Sequence, residues 1–280
     1  MDRLREFVLC EYQPRPTMLD ELWATLRRDG IEAAERDSLM AQPITLSILC
    51  HASFAESLSD RLARKLADAD VPAPALSELM AETFALSPGT LHAAAADLMA
   101  VRDRDPACPD LITPFLYFKG FQALQAFRIS HALWLVGRQH LARHLQARIS
   151  EVFAVDIHPA ARLGCGIMID HGTGVVIGET AVVEDSVSIL QGVTLGGTGK
   201  ECGDRHPKIR RGVLLGAGAS VLGNIEVAEG AKVGAGSIVL DDVAAYTTVV
   251  GVPARAIGAR LTGLPALTMD HRMPAPEYAI

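Results

Sequence analysis

Aliphatic residues recur every six positions from Ile157 almost to the end of the chain. The lead positions of this repeat are Ile157, Leu163, Ile169, Ile177, Val183, Ile189, Leu195, Leu215, Val221, Val227, Val233 and Val239. This period matches neither a helix nor an alternating strand. Short repeats of this kind are typical of parallel β-helices. The sequence therefore predicts a β-helix of about five turns, stacked at the roughly 4.8 Å spacing of paired strands.

The repeat is interrupted at two places. Between Ile169 and Ile177 the spacing is eight residues instead of six, so the register slips by two residues. The second interruption is the segment GGTGKECGDRHPKIRR (196–211), inside the long gap between the lead positions Leu195 and Leu215. This segment has no apolar lead, and we expect it to be a loop extending from a corner of the coil.

Residues 1–150 have helical patterning instead, and we interpret them as a separate α-helical domain. The helix predicted to begin near Thr113 is apolar over much of its circumference as far as Trp134. Such a helix is normally buried, either against its neighbours or across a subunit contact. The β-helix then occupies residues 151–255, and residues 256–280, rich in Pro and Met, are expected to be a flexible tail.

The bulk properties exclude some classes of function. The formal net charge of −7 argues against a nucleic-acid partner. The five cysteines are scattered without a CxxC pair, which fits a reducing environment. The N-terminus lacks the apolar region of a signal peptide, and the most apolar helical stretch contains Lys119, Arg128 and His131, unlike a membrane span. We therefore expect a cytoplasmic protein with no membrane partner.

His171 is the first candidate for chemistry, because imidazole can take up and return a proton near neutral pH. It lies in the motif DHGTG (170–174), where the register slips, so we expect it to project from a corner. Asp156 precedes it by roughly one turn of the coil, so its carboxylate could face the imidazole. The alternative is that Asp156 caps a turn and His171 is a solvated corner residue.

Arg205 and His206 fall in the second interruption, where they could hold a carboxylate or phosphate, or could be merely solvated. Three histidines, His158, His171 and His206, would suit a zinc hydratase, but they show no HxH or HxxxH spacing. We therefore expect no metal. Nothing resembles the GxSxG motif of a nucleophilic serine, so direct transfer assisted by a general base is favoured.

Several long motifs resemble the serine O-acetyltransferases, enzymes of cysteine synthesis in bacteria and plants. The similarity runs through VRDRDPA (101–107), TPFLYFKGFQALQAFRISHALW (113–134), DIHPAARLGCGIMIDHGTGVVIGETAVVEDSVSILQGVTLGGTGKECGDRHPKIR (156–210), GAGASVLGNIEV and GVPAR (251–255). The motifs DHGTGVVIGET and TLGGTG…GDRHPKI are together highly specific. The hexad alone indicates only a broad acyltransferase superfamily.

The resemblance implies a left-handed parallel β-helix that forms trimers, with the helical domain pairing two trimers into a hexamer. Acetyl-CoA would lie between neighbouring β-helices, and L-serine deeper in the same cleft. The implied reaction gives O-acetyl-L-serine and CoA in the first step of cysteine biosynthesis. It would proceed through a ternary complex, with acetyl-CoA as co-substrate and no permanently bound cofactor.

The resemblance also implies a role for each matching site residue. His171 matches the general base and Asp156 its partner. The substrate contacts are Asp105 and Asp170 for the ammonium group of serine, and Arg205 and His206 for its carboxylate. We expect CoA to contact Gly197, Thr198, Ala217, Lys232 and Ala235. Backbone amides of residues 196–199 are our hypothetical donors to the tetrahedral oxyanion.

Two further partners follow from the resemblance. Ile280 matches a terminal isoleucine that inserts into O-acetylserine sulfhydrylase, and L-cysteine is implied as a feedback inhibitor at the serine site. The main alternative is an O-acetyltransferase of the same superfamily acting on a sugar or on homoserine. A zinc hydratase and a purely structural β-helix are further alternatives. The helical domain and the paired acids Asp105 and Asp170, suited to an amino-acid zwitterion, favour serine.

Overall fold

The computed structural model describes residues 18–199 and 202–272, and the first half of the chain is helical. The helices are α1 (Met18–Arg36), α2 (Ser38–Ile44) with a following π-helical segment (Thr45–Leu49), α3 (Phe54–Leu66), α4 (Ala73–Leu86), α5 (Pro88–Arg104), α6 (Ile112–Tyr117), α7 (Lys119–Leu135) and α8 (Gln139–Phe153). Where the sequence supplies an N-cap residue, its side chain fixes the first residue of the helix. Ser53 Oγ accepts a hydrogen bond from Glu56 N, and the Glu56 carboxylate accepts one from Ala52 N.

The apolar segment predicted as one helix from Thr113 forms two, α6 and α7. The break lies at Phe118, whose backbone is extended (φ −84°, ψ 105°). Thirteen of the 17 residues of α7 are buried within the chain, which confirms core packing as the reason for its apolar circumference. Across the described part of the chain, no single helix has the length and hydropathy of a membrane span; only the bent pair Ser38–Leu49 with Phe54–Leu66 reaches those limits jointly.

The second half of the chain is a parallel β-helix. Its strands are β1 (Val155–Ile157), β2 (Arg162–Leu163), β3 (Met168–Ile169), β4 (Val175–Ile177), β5 (Val182–Val183), β6 (Ser188–Ile189), β7 (Thr194–Gly196), β8 (Lys208–Ile209), β9 (Leu214–Leu215), β10 (Ser220–Leu222), β11 (Glu226–Val227), β12 (Lys232–Val233), β13 (Ile238–Val239), β14 (Thr248–Gly251) and β15 (Ala254–Ile257). Three sheets form the sides: β1-β4-β7-β10-β13, β11-β8-β5-β2 and β15-β14-β12-β9-β6-β3. They are called the first, second and third sheets below.

Every predicted lead position lies in a strand and is at most 6 % exposed. The leads stack in register, because the inward side chains of successive coils must fill one continuous core. The interpretation of residues 196–211 as a loop without a lead is wrong at its end. Ile209 lies six positions before the lead Leu215, is fully buried, and belongs to β8. The excursion is therefore shorter than expected and precedes β8.

A buried ion pair joins the helical domain to the first coil. Asp97 of α5 is fully buried, and its Oδ2 lies 2.7 Å from Arg128 Nη2 of α7. Arg128 Nη2 also donates to Gly164 O at 2.7 Å, and Ile167 N donates to Asp97 Oδ1 at 2.9 Å. These contacts fix α5 and α7 against the turn between β2 and β3.

The segment expected to be a flexible tail is folded against the coil as far as residue 272. Residues of β15 pair antiparallel with β14, and a short helix, α9 (Pro265–Thr268), follows. Ala266 is fully buried, and its carbonyl accepts a 2.9 Å hydrogen bond from Ser188 Oγ. The Pro- and Met-rich composition suggested mobility, but small apolar side chains of this segment dock on the third sheet. Ile280 lies outside the described residues.

Candidate active site

His171 lies in a turn between β3 and β4, defined here as the His171 corner (residues 170–174). Its backbone is left-handed (φ 56°), as are those of Gly172 (73°) and Gly174 (78°). The two additional residues of the register slip form this outward turn, and the His171 side chain is 72 % exposed. The predicted projection of His171 from the coil is therefore confirmed.

Two carboxylates belong to the same side of the coil. Asp170 Oδ2 lies 3.8 Å from His171 Nε2. Asp105 follows directly on α5, in a turn whose neighbours Val101 and Cys108 pack against β3. The structure thus places Asp105 beside β3, the strand that leads into Asp170 and His171. A carboxylate such as Asp170, next to an exposed imidazole, suits a cationic substrate group.

Asp156 lies elsewhere. It belongs to β1, its partner in register is Val176 of β4, and its Oδ1 accepts a 2.7 Å hydrogen bond from Gln146 Nε2. The expectation that Asp156 faces His171 on successive coils of one chain is wrong. The first coil runs from Val155 to its partner Val175, which is two positions more than three hexads, because the slip lengthens it. The separation between Asp156 and His171 therefore falls short of one turn, and the two side chains do not align.

Arg205 and His206 occupy the Arg205 loop, defined as the described residues 197–199 and 202–207 between β7 and β8. Arg205 Nη2 donates to Glu179 Oε2 at 2.7 Å. Thr180 Oγ1 accepts hydrogen bonds from the backbone N–H groups of Arg205 (3.0 Å) and His206 (3.1 Å). Gly178 permits this packing, since a Cβ there would lie 2.0 Å from the His206 ring. The loop is built onto the preceding coil and is not merely solvated.

Neighbouring groups set the charge states of Arg205, Glu179 and His206. Hydrogen bonding from Arg205 lowers the pKa of the Glu179 carboxyl, so Glu179 stays ionised and holds the guanidinium. Burial, followed by the neighbouring Arg205 charge, lowers the pKa of His206. His206 Nδ1 accepts from Thr180 N at 3.2 Å, which leaves Nε2–H as the donor of the neutral imidazole.

The site residues fall into two groups at opposite ends of the strands of the first sheet. These ends are called the His171 edge and the Arg205 edge below. The His171 corner connects the third sheet to the first, and the Arg205 loop connects the first to the second. Asp156 lies in the middle of β1, between these two groups, and its neighbour Val155 lies beside Gly172 of the His171 corner. A side of six extended residues is up to about 20 Å long at roughly 3.3 Å per residue. One L-serine cannot span that distance.

The predicted CoA contacts are distributed over both edges. Ala217 and Ala235 continue the column of the His171 corner two and three coils further on, joined by backbone hydrogen bonds of 2.8 Å. Gly197 and Thr198 lie in the Arg205 loop. Lys232 lies on the third sheet, and its Nζ donates to two backbone oxygens of the folded tail at 2.9 and 2.5 Å. Its ammonium is therefore bound by this chain itself.

Sequence reasoning missed Glu179, Thr180 and Gln146, which hold the predicted site residues. The signal for the first two is the acid and hydroxyl of VVIGET, at the turn one coil before the Arg205 loop. Among residues 18–199 and 202–272, no group of three or more His, Cys, Asp or Glu side chains is arranged to hold a metal.

Comparison with known proteins gives a consistent result. The family profile described as "Serine acetyltransferase, N-terminal" matches residues 22–126. A serine acetyltransferase of Salmonella typhimurium is 52 % identical over 253 residues, which cover 90 % of this chain and 93 % of the relative. The solved serine acetyltransferase of Vibrio cholerae is 53 % identical and superposes with a TM-score of 0.89, covering 90 % of this chain and 98 % of the other.

Other solved relatives were determined with ligands. A serine acetyltransferase in complex with cysteine is 50 % identical with a TM-score of 0.89, covering 91 % of this chain and 99 % of the other. The soybean enzyme complexed with serine is 51 % identical with a TM-score of 0.84, covering 87 % and 100 %. The Brucella abortus enzyme with coenzyme A is 49 % identical with a TM-score of 0.84, covering 86 % and 96 %.

These matches confirm the predicted fold, a helical domain followed by a left-handed β-helix. They also confirm the predicted activity, the transfer of an acetyl group to L-serine in cysteine biosynthesis. The chain belongs to the serine acetyltransferase family.

Proposed function

We propose that His171 is the general base of serine acetylation and that the site is completed between two neighbouring subunits. The observation that carries this proposal is the division of the site residues between two edges of one sheet. His171, Asp170 and Asp105 form one half, and the Arg205 loop forms the other. In a closed ring of three subunits, the His171 edge of one subunit meets the Arg205 edge of the next.

The chemistry follows from this arrangement. Asp105 and Asp170 receive the ammonium group of L-serine, while Arg205 and the Nε2–H of His206 bind its carboxylate. The hydroxyl then points to His171, which removes its proton as the oxygen attacks the thioester carbonyl of acetyl-CoA. The tetrahedral intermediate collapses with loss of the CoA thiolate, which takes the proton back from the imidazolium. No acetyl-enzyme forms.

Each part of the site contributes to the rate. A positioned general base supplies about 10²–10⁴-fold, because a serine hydroxyl is a poor nucleophile at neutral pH. Holding alcohol and thioester in one cleft supplies a larger part through orientation. Asp156, which does not align with His171 within one chain, orients the imidazole of the neighbouring subunit in our proposal. Amides of residues 196–199 stabilise the oxyanion.

The role of His171 is tested by thiol release from acetyl-CoA with L-serine, L-homoserine and galactosides as acceptors. We expect His171→Ala to lose about 10²–10⁴-fold in kcat with L-serine. His140→Ala, an exposed histidine on α8, is the matched control and should retain full activity. A fully active His171→Ala enzyme, a trapped acetyl-enzyme, or preference for a galactoside would refute the proposal.

The shared site is tested by mixing two inactive variants, His171→Ala and Arg205→Ala, after reversible dissociation. If the two halves come from different subunits, random mixing restores about a quarter of the sites in a ring. If both halves act within one chain, the mixture stays inactive. Each variant dissociated and reassembled alone serves as the control.

The remaining partners are part of the proposal. Acetyl-CoA occupies the groove between Ala217 and Ala235 of one subunit and Gly197 and Thr198 of the next, and L-cysteine competes at the serine site. Trimers pair through the helical domain in the cytoplasm, and O-acetylserine sulfhydrylase binds Ile280. Deletion of residues 273–280, which spares the folded tail, should abolish co-purification with the sulfhydrylase and leave catalysis intact. Undiminished binding by the truncated protein would refute this docking.

A further inference from the structure

The backbone of the His171 corner does not by itself fix the direction of the imidazole. His171, Gly172 and Gly174 all have left-handed backbones. Glycine enters this region at no steric cost and is equally free to leave it, whereas a histidine stays there only when its surroundings hold it. The direction of the imidazole therefore depends on the groups that pack against the corner.

The coil holds the corner on one side. Gly174 N donates to Ala154 O at 2.7 Å, and Gly192 N donates to Thr173 O at 2.8 Å. Both bonds fix the C-terminal end of the corner to the preceding and following coils. They leave the Thr173 side chain, which is exposed, to be held from outside the coil.

The start of α7 packs against the corner on the other side. A Cβ added to Gly120 would lie 2.0 Å from Ile169 O, and one added to Gly172 would lie 3.2 Å from Gly120 Cα. Backbone therefore meets backbone here, because both positions lack a side chain. The first residue of α7, Lys119, donates from Nζ to Thr173 Oγ1.

Helix α7 is a rigid support for this contact. Most of its residues are buried, and Arg128, two and a half turns further on, is bound to Asp97 and to Gly164 O. The helix thus contacts the first coil at the turn before β3 and at the His171 corner after it. Movement of the corner relative to the coil is resisted at the Lys119 end.

We propose that Lys119 is a positioning residue for His171: its ammonium holds Thr173 and so sets the direction in which the imidazole enters the site. This inference rests on the proposed role of His171 as the base. Lys119 touches neither substrate in this proposal. Its loss should leave substrate binding intact and slow the chemical step, because a misplacement of about 1 Å can cost on the order of 10²-fold in rate.

The test compares Lys119→Met, Thr173→Val and the double variant with Lys65→Met, an exposed lysine at the end of α3. We expect each single variant to lose about 10–100-fold in kcat, with KM values for L-serine and acetyl-CoA within about two-fold. The double variant should be no slower than the slower single variant, because both changes remove one bond. Lys65→Met should have the same kcat and KM values as the natural enzyme.

Three results would overturn the proposal. The first is an unchanged kcat in Lys119→Met. The second is a kcat loss in the double variant equal to the product of the two single losses. The third is a kcat loss that occurs only together with a lowered melting temperature. The His171→Ala assay separates the two levels of inference. Activity in His171→Ala would refute the proposed base, whereas an inactive His171→Ala with a fully active Lys119→Met would refute the positioning role alone.

Discussion

Two arginine–carboxylate pairs in this chain have the same separation and different surroundings. Arg128 Nη2 lies 2.7 Å from Asp97 Oδ2, and Arg205 Nη2 lies 2.7 Å from Glu179 Oε2. The side chains of the first pair are 6 % and 0 % exposed, and those of the second are 27 % and 39 % exposed. Burial, and not distance, therefore distinguishes the role of each pair.

The buried pair is closed to any ligand. Asp97 accepts hydrogen bonds from Gln125, Arg128 and the backbone N–H of Ile167, so the donors around it are all from the chain. Burial raises the pKa of the Asp97 carboxyl, and the Arg128 charge opposes that rise. In our proposal the half-exposed Arg205 keeps donors free for a substrate carboxylate. The first pair then fastens two domains, and the second orients a binding group.

The largest effect is expected from Arg128→Met, which leaves the Asp97 carboxylate buried beside Gln125 without its cation. We expect the free energy of unfolding to fall by about 3–5 kcal/mol, because a buried charge that loses its partner keeps its desolvation cost. Denaturant unfolding at one fixed protein concentration measures this loss.

The double variant Asp97→Leu with Arg128→Met is the control for this prediction. It removes both charges, so it should recover part of the stability that Arg128→Met loses. If Arg128→Met unfolds at the same denaturant concentration as the natural protein, the buried pair does not fasten the two domains.

A smaller effect on stability and a specific effect on binding are expected from Glu179→Gln. The substitution removes the charge that orients Arg205, so we expect KM for L-serine to rise about 10-fold, the worth of one charged hydrogen bond. The free energy of unfolding should change by less than about 1 kcal/mol, because the pair is partly solvated. Steady-state kinetics with L-serine varied at saturating acetyl-CoA measure the rise.

Glu184→Gln provides a matched control for that experiment. Glu184 lies 2.7 Å from Arg210 with similar exposure, but it does not touch the Arg205 loop. Its KM for L-serine should equal that of the natural enzyme. An equal rise in both variants would mean that the effect is a general electrostatic one and that Glu179 has no specific role.

The sequence predicted the coil well, because inward side chains of a β-helix must be apolar at every sixth position. It missed β8, where Ile209 is surrounded by Lys208, Arg210 and Arg211 and the excursion before it breaks the spacing. The register slip correctly indicated that the His171 side chain points outward. The same slip lengthened the first coil beyond three hexads and misplaced Asp156 relative to His171.

Tertiary contacts set the rest of the site, and no local pattern encodes them. Glu179 is recognisable only once two coils are stacked, and Lys119 only once α7 lies against the His171 corner. The split of one predicted helix at Phe118 has the same origin, since apolar periodicity continues across the break. Patterns along the chain predict which residues face the core, whereas pairings between elements require their positions in space.

A pH-dependent change of a few degrees in the melting temperature is expected from three histidines that are partly or fully buried. Burial is the largest cause that lowers the pKa of His131, His158 and His206 below the ordinary 6.5. The unfolded chain therefore takes up protons more readily than the folded one. The stability is complete above about pH 6.5 and falls as the pH drops below it.

Melting curves between pH 8 and pH 5.5 test this sign. Each kcal/mol lost lowers the melting temperature by about 2–4 °C in a chain of this size. His131→Gln, which removes the α7 histidine that is hydrogen-bonded to Pro159 O, should flatten the dependence, whereas His140→Gln on the surface should not. A melting temperature that rises on acidification would contradict the assignment.

The smallest effect is expected where an ion pair is fully on the surface. Arg255 Nη1 lies 3.7 Å from Asp241 Oδ2, with side chains 68 % and 82 % exposed. Water already solvates both groups, so Asp241→Asn should change the free energy of unfolding by less than about 0.5 kcal/mol and leave kinetics unchanged. A loss above about 1 kcal/mol, measured by the denaturant unfolding used for Arg128→Met, would show that burial does not rank these pairs. Loss of stability would then have to be attributed to local packing at each pair, and the contrast between the Asp97 and Glu179 pairs would need another cause.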